Sequence, residues 1–457
     1  MSSSANTASL RSRVLRAGGW TLGGYFLAQV IRLGSSLIMT RLLVPEMFGL
    51  MAIVYVLMTG LAMFSDIGLT QIIIQSRRGE DPDFQNTAWV IQIVRGALIW
   101  LAALVLSAAL PYLAQMQALP IGGVYTDPLL PSVIAIFMSV ALIGGFASTK
   151  IFVARRKLNL TRNTQIEIIS QVAALSVMIP WAMLDRSIWA LVGGGIAGSL
   201  VRTLLSHAML PGPSNRWIWD RSAFKEIIGF GKWIFPASIL SFLIFNGDRL
   251  LLGGLVNVRL LGIYSIAYLI VSSLQGMITN LISAVAFPAL SEVVRENPTQ
   301  LQATYYKLRL IFDGVILSIA GVLLTFGSSL IRMLYDARYL DAGAIVEVLA
   351  WGMIATRYTL TIQCYNAMGK PGAHTTAYVV QALSLYLLVP AAFHQYQFDG
   401  AIWAIALCPF LSLPVTFYYK KKYQLLNVRK ELIVLPFFIV GACAGELLSL
   451  IVKWLLN

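Results

Sequence analysis

"GKWIFPASILSFLIFNGDRLLLGGLVNVRLLGIYSIAY" (231–268) is apolar along most of its length, yet it carries Asp248 and Arg249 side by side. It has a counterpart 213 residues earlier, "GGWTLGGYFLAQVIRLGSSLIMTRLLVPEMFGLMAIVY" (18–55), and the two align without a gap. Ten of the 38 positions are identical. Shared Leu and Ile are weak evidence, because any two apolar helices share some. The matched Trp20/Trp233, Gly34/Gly247, Gly49/Gly262 and Tyr55/Tyr268 are stronger. Further on, "FQNTAW" (84–89) resembles "LQATYY" (301–306) at a shift of 217. A repeat on this scale predicts a fold made of two copies of one unit.

Composition says what kind of unit this is. Of the 457 residues 58% are hydrophobic and only 12% charged, about half the charge of a soluble chain. Apolar runs of 18 or more residues recur throughout, each long enough to cross a hydrocarbon core of about 30 Å. Backbone groups in that core must be satisfied within their own segment, so the runs are expected to be helices. The alternating strands of a membrane barrel are not visible. The expected class is an all-α polytopic membrane protein. Spans are predicted near 18–40, 47–69, 87–110, 129–149, 164–184, 188–210, 230–254, 260–289, 308–331, 344–368, 373–393, 400–418 and 432–455.

The formal charge of +14 reads as topology rather than as nucleic-acid binding. With the N-terminus inside, 23 Lys and Arg fall in the inner flanks and 6 in the outer ones. That is the pattern by which basic loops stay cytoplasmic, with membrane lipids, anionic headgroups above all, as their partners. Six spans separate the repeat copies, so both copies face the same way. The prediction is two six-helix lobes related by pseudo-two-fold symmetry about the membrane normal, with a site between them near the midplane. The domains expected are 1–210, a first lobe; 211–229, an amphipathic cytoplasmic connector; 230–418, a second lobe; and 419–457, a basic loop with one further hydrophobic segment.

No GxxxxGK[ST] phosphate loop appears. His207, His374 and His394 show no metal-ligand spacing, and the cysteines, Cys364, Cys408 and Cys443, all lie in predicted spans, which argues against a disulfide framework. Neither a cofactor, a metal nor a catalytic residue is predicted; transport without chemistry is. What stands out instead is ionisable residues inside spans, which cost about 2.5–3.5 kcal/mol each at the bilayer centre and usually face protein or a watery cavity. Arg32, Arg95, Arg249 and Arg357 are read as lining a substrate cavity. Asp66, Asp248 and Asp313 are read as ion-coupling or cavity acids. Under the 213 shift Arg249 falls on Ser36, one turn from Arg32, so both copies present a cation from the same helix face. Such a cavity would be net positive and suit an anion, with the guanidinium fork matched to phosphate.

At these residues the chain resembles a known family. "RLLVPEMFGLMAIVYVLMTGLAMFSDIGLTQIIIQ" (41–75), "DRLLLGGLVNVRLLGIYSIAY" (248–268) and "FPALSEVVRENPTQLQATYYKL" (287–308) are similar to bacterial polysaccharide flippases of the Wzx and colanic-acid-exporter type. These belong to the multidrug/oligosaccharidyl-lipid/polysaccharide exporter superfamily. The resemblance implies translocation of undecaprenyl-diphosphate-linked oligosaccharide across the bacterial inner membrane by alternating access, for lipopolysaccharide or exopolysaccharide synthesis. It implies a polysaccharide polymerase and glycosyltransferases as partners. One segment beyond twelve departs from the fourteen-helix members, leaving 432–455 as a single span or a re-entrant pair. A cation-coupled multidrug antiporter fits less well, because the arginines would repel a cationic drug. A membrane glycosyltransferase fits less well too, because the longest outer stretch, 111–128, holds only Asp127 as an ionisable residue. A non-transporting subunit of a polysaccharide-synthesis complex is the remaining alternative.

Overall fold

A computed structural model describes residues 4–117, 120, 122–157 and 161–456. The side chains of 4–22, 233, 455 and 456, Trp20 and Trp233 of the repeat among them, lie outside what is described. The described residues are helical, with no strand. They form two compact units, one of Met1–Leu43 with Leu50–Phe242, the other of Val44–Gly49 with Leu243–Asn457.

The first unit holds α1 (Ser4–Leu42), most of α2 (Pro45–Phe64), α3 (Leu69–Gln75) and α4 (Pro82–Gln115). It continues with α5 (Leu130–Phe137), α6 (Ser139–Gly145), α7 (Lys150–Arg156), α8 (Thr161–Leu184), α9 (Trp189–Ala208) and the first part of α10 (Arg221–Leu255). The second holds the end of α10, then α11 (Val258–Glu296), α12 (Leu301–Leu334), α13 (Ala342–Ile354) and α14 (Thr359–Ala367). It closes with α15 (Gly372–Leu411), α16 (Leu413–Lys422), α17 (Val428–Leu432) and α18 (Pro436–Leu456).

Among the described residues ten helical segments are long and apolar enough to cross a bilayer, and a bent pair, α5–α6 with α7, forms an eleventh candidate. One segment, Gly372–Lys422, runs for 51 residues. At 1.5 Å per residue that is about 75 Å of helix, more than twice the hydrocarbon core. It breaks where Gln397 takes φ 54°, between the predicted spans 373–393 and 400–418. The last hydrophobic segment is one 21-residue helix, α18, rather than a re-entrant pair.

Two close approaches shape the second unit. The first joins residues that the repeat makes equivalent. A Cβ on Gly49 would fall 2.0 Å from the Val258 carbonyl oxygen, and one on Gly262 would fall 1.8 Å from the Pro45 carbonyl oxygen. Positions 45 and 258 are themselves 213 apart, so the contact is reciprocal, as at a local two-fold axis. Only glycine lets the first turns of α2 and α11 meet backbone to backbone. The second approach runs along α12 and α18. Gly441 lies against the Ser318 backbone and Gly321 against the Phe438 carbonyl. Thr325 Oγ1 donates to the Ala442 carbonyl at 2.9 Å, and the hydroxyls of Ser329 and Ser449 are 2.6 Å apart. Small residues four apart and paired hydroxyls are how helices associate where lipid offers no hydrophobic drive. α18 is thereby part of the second unit.

In the first unit the connector after α9 is pinned down. Asn86 Oδ1 accepts from the Arg216 amide at 2.8 Å and Thr87 Oγ1 from the Asp220 amide at 2.9 Å. Arg78 Nη2 meets Asp220 Oδ2 at 2.7 Å. The hydrogen bond from Arg78, helped by the amide and hydroxyl of Ser222, holds the Asp220 carboxyl down to about 2.

Two outcomes follow. Gly262→Leu is expected to lower the melting temperature of the purified protein by the equivalent of about 1–3 kcal/mol, as overpacking does, with Gly49→Leu behaving alike. The Asp220 contribution is present above the ordinary carboxyl value near 4 and is lost as pH falls through about 2. Acid melts of wild type and Asp220→Asn should therefore converge only below about pH 4.

Candidate functional site

The charged pair in the quoted stretch sits about two turns before the end of α10. The chain turns back at Asn257, whose side chain caps α11 by accepting from the Leu260 amide at 2.9 Å. That turn brings Tyr264, in the second turn of α11, against Asp248, and the phenol donates a short hydrogen bond to Asp248 Oδ2. Asp248 is only 5% exposed. Its Oδ1 lies 3.6 Å from Arg249 Nε and has no hydrogen-bond partner among the described residues. Arg249 is held mostly by neutral groups. Its Nη2 donates to the Phe245 carbonyl at 2.8 Å and to Asn246 Oδ1 at 3.1 Å, and the guanidinium lies 4.4 Å from the Tyr268 ring centroid. An aromatic face supplies the cation with partial compensation where water is excluded.

Asp248 opens on a cavity of about 560 Å³ within the second unit. Its wall carries Tyr264, Tyr268, Gln275, His374, Tyr378 and Gln381 along with apolar residues of α11, α14 and α15. Arg249 is not part of that wall.

A second cluster in the same unit is sealed. Arg309 of α12 reaches Asp313, one turn on, through Nε at 2.8 Å and Nη2 at 2.6 Å. Its Nη1 reaches Glu431 Oε1 of α17 at 2.5 Å. Arg357, in the single turn Ala355–Tyr358, donates to Asp313 Oδ2 at 3.2 Å and to the Glu431 carbonyl at 3.0 Å. Lys420, at the end of α16, closes on Glu431 Oε1, and Tyr306 donates to the same oxygen at 2.9 Å. Arg309 and Asp313 are 1% exposed and Lys420 is 0%. Three cations face two carboxylates, and the rings of Tyr305, Tyr306 and Tyr358 lie within 6.0 Å of the Arg309 guanidinium carbon. Burying each ion costs several kcal/mol, so the cluster persists only because nearly every charge has a partner.

The predicted residues therefore divide. Arg357 and Asp313 lie together in the sealed cluster, and Asp248 and Arg249 lie together beside the cavity. Arg95 and Asp66 serve the end of α2 in the first unit. Arg95 donates to Ser65 Oγ at 3.0 Å and to the Ala62 carbonyl at 2.5 Å, one of the carbonyls that a helix C-terminus leaves open. Asp66 Oδ1 accepts from the Gly68 amide at 2.9 Å, and Oδ2 from Ser238 Oγ at 3.3 Å. Arg32 is exposed on α1. Sequence reasoning missed Arg309, Lys420 and Glu431, because two of them look like ordinary flank charges. The one available signal was the four-residue spacing of Arg309 and Asp313, which puts opposite charges on one helix face.

Residues 38–344 match the model of the family described as polysaccharide biosynthesis protein. The chain is similar to the lipopolysaccharide biosynthesis protein WzxC of Escherichia coli K12, 22% identical over 69% of this chain and 60% of that one. It is similar to the teichuronic acid biosynthesis protein TuaB of Bacillus subtilis 168, 22% identical over 62% of this chain and 56% of that one. The chain thus spans 60% and 56% of the length of these two relatives, less than two thirds of either. Its fold is similar to the lipid II flippase MurJ in an inward closed conformation, with TM-score 0.66 at 12% identity, covering 95% of this chain and 97% of that one.

Removing Glu431 leaves three buried cations with one carboxylate. Glu431→Ala is expected to cost about 3–5 kcal/mol of stability. Adding Lys420→Met should recover part of that loss, since it removes one of the stranded charges. Thermal melts of the purified single and double variants check this.

Proposed function

The chain belongs to the polysaccharide biosynthesis protein family, and on that premise we propose that it is a flippase. It translocates undecaprenyl-diphosphate-linked oligosaccharide repeat units across the bacterial inner membrane by alternating access, with its N-terminus cytoplasmic. The observation that carries this reading is a set of three guanidiniums on long helices, none of them hydrogen-bonded to a carboxylate among the described residues. Arg32 is exposed, Arg95 is held by a hydroxyl and a carbonyl, and Arg249, paired with Asp248 at 3.6 Å, gives its hydrogen bonds to a carbonyl and an amide. Each keeps enough of its charge to pair with a diphosphate during passage. A cationic drug would meet repulsion at the same positions.

Arg357 and Asp313 act otherwise in this reading, holding the second unit together from within their cluster. Asp248 is the coupling acid. One of its oxygens is bound by Tyr264 and the other is without a hydrogen bond beside a cavity, the arrangement a carboxylate needs to exchange a proton or small cation. Asp66 shapes the turn after α2. The polymerase and glycosyltransferases of the same polysaccharide are the proposed partners, and the protein itself performs no bond chemistry.

In a strain lacking the chromosomal gene, Arg249→Ala and Arg32→Ala are each expected to slow export about ten- to a hundredfold. That is the effect of losing one charge-assisted hydrogen bond of about 1.5–3 kcal/mol. Surface polysaccharide is measured against the amount of inserted protein. Full complementation by both variants would sink the assignment.

A further inference from the structure

The cavity beside Asp248 has no lysine or arginine in its wall, and that composition limits what it can hold. A diphosphate brought there would find no cation and one carboxylate. The polar groups present are of another kind. Gln275 and Gln381 line the cavity, and neither side chain makes a hydrogen bond to another described residue. Asp248 Oδ1 and His374 Nδ1 are buried and likewise without partners. Buried polar atoms are nearly always paired, so two buried unmatched atoms, with two part-exposed amides facing the same space, mark a place where a ligand supplies the missing partners. Their chemistry describes that ligand. Two amides each offer donors and an acceptor, and the carboxylate oxygen accepts only. The aromatic rings of Tyr268 and Tyr378 are also part of the wall. Vicinal hydroxyls, which donate and accept at once, mounted on a ring with an apolar C–H face, satisfy all of these together.

We propose that this cavity is a saccharide subsite that takes an uncharged sugar unit of the transported molecule and excludes its diphosphate. The volume of about 560 Å³ falls within the ~300–1,000 Å³ of small-molecule sites. The cations of the sealed cluster do not alter this, because Tyr358, part of the cavity wall, stacks on Arg309 and Arg357 with centroid distances of 5.2 and 5.4 Å. Substrate recognition is thereby divided by chemistry, with neutral hydroxyls in the cavity and phosphate at the arginines outside it. The source of the sugar rests on the flippase reading; the binding itself does not.

The test is photo-crosslinking on the full chain in lipid nanodiscs. The probes are diazirine-bearing glucosyl, galactosyl and N-acetylglucosaminyl disaccharides, with adducts located by mass spectrometry. Adducts are expected within 264–279 and 374–381, displaced by the unlabelled disaccharide and unaffected by inorganic pyrophosphate. They should be lost in Gln275→Leu/Gln381→Leu and retained in Gln381→Asn, which keeps the amide; matching melting temperatures exclude misfolding as the cause. Adducts only outside the cavity, displacement by pyrophosphate, persistence in the double variant, or no specific adduct from any probe would each overturn the proposal. Delivery of a lipid-linked saccharide across proteoliposomes is scored separately. Cavity adducts without delivery would leave the subsite standing and remove the flippase reading. Delivery without cavity adducts would do the reverse.

Discussion

Glu431 sits where three cations converge, and the second unit is arranged around keeping it there. Its side-chain oxygens receive Arg309, Arg357, Lys420 and the Tyr306 hydroxyl, while its backbone carbonyl takes a further bond from Arg357. The partners come from α12, the Ala355–Tyr358 turn and α16, so one carboxylate ties together segments more than 100 residues apart in sequence. In a nonpolar surrounding the penalty for stranding any of these charges exceeds what a single contact returns. The seating of α17, and of α18 behind it along α12, is therefore fixed as much by charge pairing as by the close backbone approach at Gly321 and Gly441.

The same unit treats its two other buried acids in opposite ways. Asp313 has one oxygen shared between Arg309 and Arg357 and the other, like Asp248 Oδ1, without a hydrogen bond, but two guanidiniums neutralise it and the cavity does not open on it. Asp248 has a phenol on one oxygen, a loosely placed guanidinium near the other, and a cavity in front of it. A carboxylate neutralised by two guanidiniums in a sealed site stabilises a fold; one with a single loosely placed guanidinium beside open space can exchange ligands or ions. The difference lies in the surroundings, since both are aspartates within long apolar helices.

Much of the architecture was legible beforehand. Apolar length marked most of the long helices, though 18–40 is not among the candidate spans and 129–149 falls in a bent pair, and the break at Gln397 fell between two segments already read as separate. The repeat matched Gly49 with Gly262, and the structure adds the reason: both are needed where two helix starts touch. The functional reading of the charges was less complete. Asp248 and Arg249 were picked out as a pair and are found as one. Arg357 and Asp313 were picked out singly, and the sequence held no sign that they share a cluster. Lys420 and Glu431, at the ends of short helices, resemble the charges that decorate any cytoplasmic loop, and their burial depends on a chain segment folding back across α12.

By itself the sequence determined that the chain is built of long apolar helices able to cross a bilayer, and that ionisable side chains within it demand explanation. Lipid imposes its requirement locally: each stretch of about twenty residues must satisfy its own backbone, so the evidence for each span is contained within that span. Which of the embedded charges cancel one another in a sealed cluster, and which lie beside a cavity, was decided only by the tertiary structure. Coulombic pairing acts over a few ångströms in space, and the partners of Glu431 and Asp248 are brought that close by turns and helix packing that no single segment encodes.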